Sequence, residues 1–172
     1  MLDPRVLFDI GPVEAGLLRA ASAADAGLAL ATLCRAVERD ITVDDEMLTL
    51  AGTGVGDAGH VGADGGVLGW LSEGPSDRRA IIASAVLQGY WAACPVPPAA
   101  EGLRVLEGAC DRHPVASSPR NALVLALTTA LARTDLSAEV RRALRAHLLA
   151  ERDQIAASGR FGAMVQMITE HA

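Results

Sequence analysis

The sequence predicts an all-α protein, a compact helical bundle of about seven to eight helices with one long Gly-rich loop. Composition is the first reason. Of the 172 residues 51% are hydrophobic, only 3% are aromatic, and 33 are alanine, the residue with the highest helix propensity and one that lets helix backbones approach. Periodicity is the second: apolar residues recur at three- and four-residue spacing, and no stretch alternates with period two. The third is punctuation, with Ser, Thr and Asp where helices should begin and Pro or Gly where they should end.

The elements follow in order. Pro12 opens a helical stretch, and Ser22 with Asp25 reads as a capping box restarting a helix whose apolar face is Leu30, Leu33, Cys34, Val37 and Ile41. Thr42 and Asp45 form a second such cap ahead of the short acidic segment DDEMLTLA. Residues 51–70 hold eight of the chain's 17 glycines, and 51–66 is expected to be the loop. A brief turn, VLGWLSE, leads to Pro75. Ser76 then caps a helix that is nearly all apolar from Ala80 to Ala93 and stops at Pro95, so it should be central. The next stretch places Leu103, Leu106 and Cys110 on one face and ends before Pro114. Ser118 at the cap and Pro119 at the first helical position start a second central helix. Val140, Leu144, Leu148, Arg152 and Ile155 line one stripe of the next helix, with Gly159 just past its end. Phe161, Val165 and Ile168 mark the last.

The length fits a single domain, 1–172, comprising an acidic N-terminal helical layer (1–50), the loop (51–66) and an apolar C-terminal bundle (67–172). Net charge is −6 overall; 12 acids face four arginines in residues 1–75, whereas residues 76–172 hold nine acids and 11 arginines. An acidic chain with few aromatics lacks both the cationic footprint and the stacking platforms of a nucleic-acid binder. A mean hydropathy of +0.27 without a membrane-length apolar run assigns the surplus apolar surface to a core or an oligomer interface. The N-terminus lacks the pattern of a signal peptide. Three cysteines, Cys34, Cys94 and Cys110, show no CxxC spacing. Buried thiols in a reducing cytoplasm are the expectation.

Motif chemistry is sparse. Gly54, Gly56 and Gly59 spell GxGxxG, but that pattern cradles a pyrophosphate only between a strand and a helix, and the chain contains no lysine for a Walker loop. Asp57 and Asp64 lack calcium-loop spacing. Cys110 and His113 lie three apart without a zinc pattern, HExxH and ExxH are absent, and Cys110, Asp111 and His113 have the atoms of a nucleophilic triad but no motif around them. No metal and no cofactor is expected. Two helix starts combine hydroxyls and arginine where N–H groups are free to bind an anion: Ser76 with Arg78 and Arg79, and Ser118 with Arg120 and Asn121. Arg141, Arg145 and Arg152 form a stripe suited to docking on Asp44, Asp45 and Glu46, in the same molecule or another. Together these features predict a cytoplasmic protein that works through protein association, as an adaptor, regulatory subunit or assembly component, and that self-associates. The competing expectation is an enzyme or small-ligand binder whose site lies between the central helices under a 51–66 lid.

Overall fold

The computed structural model describes residues 15–26, 29, 45–74 and 76–172. The described residues are all-α, with helices α1 (Ala15–Ala24), α2 (Asp45–Asp57), α3 (Asp64–Ser72), α4 (Asp77–Ala93), α5 (Ala100–Cys110), α6 (Ser118–Leu131), α7 (Ala138–Ala157) and α8 (Gly162–His171). The expected helix start at Pro12, the apolar face from Leu30 to Ile41, the cap at Thr42, and Asp44 lie outside the described residues.

The two helices that read as central are central. α4 packs against α2, α3 and α6, and α6 packs against α4, α5, α7 and α8. Trp91 and Leu87 of α4 and Leu123 and Leu127 of α6 are fully buried. Ser76 caps α4 by accepting from the Arg79 amide. At α6 the cap is Ser117, not Ser118: its Oγ accepts from the Arg120 amide, which makes Ser118 the first helical residue and Pro119 the second. Ser22 is not a cap either, since it is buried inside α1.

The largest departure from expectation is in the glycines. Gly52, Gly54 and Gly56 are not in a loop but inside α2. Isolated propensity argues against a helix there, but close packing overrides it. A Cβ on Gly52 would stand 2.0 Å from the Val86 carbonyl oxygen, one on Gly89 2.0 Å from the Thr49 carbonyl oxygen, and one on Gly54 2.2 Å from the Arg19 carbonyl oxygen. α2 therefore touches α4 on one face and α1 on another at backbone contact, which only glycine permits. The segment DGGVLGWLS, expected to be the end of the loop and a brief turn, forms α3, whose Val67, Leu68, Trp70 and Leu71 are buried. Only the short turn between Ala58 and Ala63 is left of the expected loop. Its Gly59 and Gly62 have φ of +69° and +80°, where glycine carries no steric penalty.

That turn is tied down. Tyr90 Oη donates to the His60 carbonyl (3.0 Å) and accepts from the Gly62 amide (3.1 Å). The His60 ring reaches the Ala23 carbonyl, and Trp91 Nε1 donates to Asp64 at the start of α3.

Candidate functional site

Among the described residues, several ionisable side chains are brought together away from water at the start of α6. Arg120 and Glu151 are 6% and 2% exposed. Burial of such charges is tolerated only where they pair in good geometry, and these do. Arg120 Nε donates to Glu151 Oε2 (2.9 Å) and Nη2 to Oε1 (2.6 Å), a bidentate fork, while Nη1 donates to the His113 carbonyl (3.0 Å). Asp111 lies 3.6 Å from Nη2 at the solvent edge. The Glu151 hydrogen bonds, as the largest influence, hold the Arg120 guanidinium more firmly protonated than usual. Sequence position explains the meeting: Arg120 sits in the first turn of α6, and Leu148, Glu151 and Ile155 share the face of α7 that packs on it.

The neighbours complete the cluster. His113, buried in the α5–α6 loop, directs Nδ1 to Asp77 Oδ1 at 3.1 Å, tying that loop to the first turn of α4. His147, one turn before Glu151, places Nε2 3.8 Å from Oε1. Cys110 is fully buried, and its thiol is pushed up to about 12, first by desolvation and then by the Glu151 charge. A thiol so placed stays protonated and is a poor nucleophile. The three residues with the atoms of a triad thus do not form one, because His113 turns to Asp77 and Asp111 faces Arg120. Among the described residues no group of three or more His, Cys, Asp or Glu could hold a metal ion. Chemically, the cluster is a lock joining α6, α7 and the loop between α5 and α6.

The expected anion sites are taken up by the fold itself. Arg120 is committed to Glu151, Asn121 is buried, and Ser118 lies exposed beside the Ser117 cap. Ser76 is the α4 cap, and Arg79 donates to the Trp70 carbonyl and to Glu73 with its guanidinium 5.3 Å above the Trp70 ring. Asp77 occupies the first turn of α4 and already supplies the negative charge that the helix start favours. Arg78 also has a partner. The GxGxxG residues Gly54 and Gly56 face helix backbones, and Gly59 is in the clamped turn, so they form no cradle.

The arginine stripe divides. Arg141 donates to the Leu131 and Arg133 carbonyls at the end of α6, Arg152 pairs with its neighbour Asp153, and Arg145 is exposed. Asp45 and Glu46 are exposed at the start of α2 and, among the described residues, meet none of the stripe.

A surface groove of about 170 Å³ with mixed chemistry lies between α5 and α7, and a shallower hollow of about 390 Å³ lies where Arg133 and Asp135 meet the end of α4. Leu103, Val140 and Leu144 form the floor of the groove, Ala100 and Ala143 its lips, and Arg104, Glu107 and Glu139 its charged rim. Comparison with family models, with curated proteins and with solved structures finds no match for this chain.

Sequence reasoning missed Glu151, Tyr90 and Arg133. For Glu151 a signal exists: it stands on the same helical face as Leu148 and Ile155, and an acid on an apolar stripe asks for a buried cation.

Proposed function

We propose that this chain acts through protein–protein association, as an adaptor, regulatory subunit or assembly component, and that it associates with itself. One observation carries the reading. The ionisable groups best placed for chemistry, Arg120, Glu151, His113 and Cys110, are buried within the fold, whereas Arg104, Glu107 and Glu139 stand without ion-pair partners among the described residues around an open groove with an apolar floor. Groups in the first class hold helices together; those in the second are available to another surface. The uneven charge of the two halves and the high mean hydropathy of +0.27 support the same reading. Cys94 and Cys110, free and buried, fit a reducing cytoplasm. No helix among the described residues is long and apolar enough to cross a membrane.

Sedimentation velocity and light scattering over a wide concentration range test the proposal. A concentration-dependent oligomer is expected. A strict monomer at the highest concentration, with no complex on mixing with cell extract, would sink it.

A further inference from the structure

We infer that the α5–α7 groove is a self-docking surface whose occupant is a second copy of this chain, related by a two-fold axis running along the groove. The inference rests on the association reading and assigns it a place.

Charge complementarity selects the occupant. The chain carries a net charge of −6, so two copies repel at most approaches. The groove face is the exception. Arg104 projects from the α5 bank with Glu107, Glu139 stands at the α7 bank, and Arg142 is exposed one turn beyond it. That makes the face locally neutral, with both signs present, and these side chains have no ion-pair partner within the described protein. A two-fold axis along the groove lays α5 of one copy over α7 of the other. Arg104 then meets Glu139 of the second copy, and the same pair forms again by symmetry, as an isologous contact requires.

The steric character of the face agrees. Ala143, Ala146 and Ala150 are all exposed along α7, where a solvent-facing helix usually carries long polar side chains. With Ala100 on the opposite lip, they leave room for a facing helix to approach, while Leu103 and Val140 supply apolar contact beneath the charged rim. Arg104 and Glu139 are both exposed, so reversing either charge should leave the fold intact.

The test uses the full chain and charge reversal. Sedimentation equilibrium of Arg104→Glu and of Glu139→Arg should each show dimer dissociation strengthened by roughly tenfold or more, because two attractive contacts become two repulsive ones. The double variant Arg104→Glu, Glu139→Arg should return to within roughly threefold of the parent. Ala143→Trp should abolish the dimer by filling the groove, and circular dichroism on every variant confirms that helices persist. If the parent dimerises and all four variants dimerise equally well, the groove assignment is overturned and self-association stands. If the double variant fails to recover while both singles are impaired, the Arg104–Glu139 pairing is overturned. A parent chain that remains monomeric overturns self-association and the groove together.

Discussion

Replacing Gly52 by alanine tests the most consequential feature of the fold, the backbone contact between α2 and α4. The added methyl would stand 2.0 Å from the Val86 carbonyl oxygen and 2.9 Å from the Tyr90 amide nitrogen, against an ordinary contact of at least 3.4 Å. Both obstacles are backbone in a buried helix and cannot rotate aside. The helices must therefore separate by about 1.4 Å along that line, loosening the packing of Leu48, Ala51 and Val55. Overpacking ordinarily costs about 1–3 kcal/mol, and a rigid obstacle puts this case near about 3 kcal/mol. In a chain of this size that lowers the melting temperature by about 6–12 °C.

The control is Gly69→Ala, in the same glycine-rich stretch. Gly69 is an exposed position within α3 with nothing within 4 Å of its would-be Cβ. Alanine there should raise stability by about 0.5–1 kcal/mol by restricting the unfolded chain. Thermal unfolding followed by circular dichroism reads both effects. Opposite signs are expected; two variants indistinguishable from the parent would show the segment to be slack chain and refute the interlocked arrangement.

Three other outcomes follow from the same packing. Tyr90→Phe removes the hydrogen bonds to the His60 carbonyl and the Gly62 amide, which should cost about 1–2 kcal/mol and accelerate amide hydrogen exchange at Gly62 in the native protein. Glu151→Gln leaves buried Arg120 with only the solvent-edge Asp111 as counter-charge and should cost about 3 kcal/mol in denaturant unfolding, whereas the pair Arg120→Met, Glu151→Leu should recover most of that loss. Cys110, with its thiol raised from 9.0 to about 12, should resist thiol reagents at neutral pH until the chain unfolds. Because the folded state keeps its proton where the unfolded state loses it, the associated stability is fully present below about pH 9 and declines as pH rises towards about 12; Cys110→Ala should flatten that decline in the denaturation midpoint.

How much of this was legible depended on which energies decide each element. α4 and α6 are apolar nearly all round, α7 carries an apolar stripe, and the three begin at the serine caps Ser76, Ser117 and Ser137, so local sequence and tertiary packing agree and both are readable. α2 is different. Its glycines weaken an isolated helix, and what stabilises them is backbone contact with α4, Gly89 included, and with α1 at Gly54, surfaces that lie more than thirty residues away and fit them only after folding. The same reason hid the Arg120–Glu151 fork. Arg120 read as a free cation at a helix start, because its proper neighbour is on another helix; its anion-binding promise vanished once Glu151 and the His113 carbonyl took its donors. Cap identity failed by one residue, since Ser117 and Ser118 are chemically equal and only backbone geometry separates them.

The absence of lysine from the chain now has a structural counterpart. Arg133 shows it most fully: Nη1 donates to the Trp91 and Cys94 carbonyls at the end of α4, while Nε and Nη2 hold both oxygens of Asp135. A single guanidinium thereby satisfies the carbonyls that a helix end leaves open and fixes the loop into α7. An ammonium is a point donor and cannot serve the carbonyls and the carboxylate fork from one position. Arg133→Lys, although charge-conserving, should therefore cost about 1–2 kcal/mol, with faster hydrogen exchange in the last turn of α4. The same change at exposed Arg145 should stay within about 0.5 kcal/mol of the parent. Equal effects at the two positions in chemical denaturation would mean that positive charge alone matters, and that the geometry of the guanidinium is incidental to how these helices are joined.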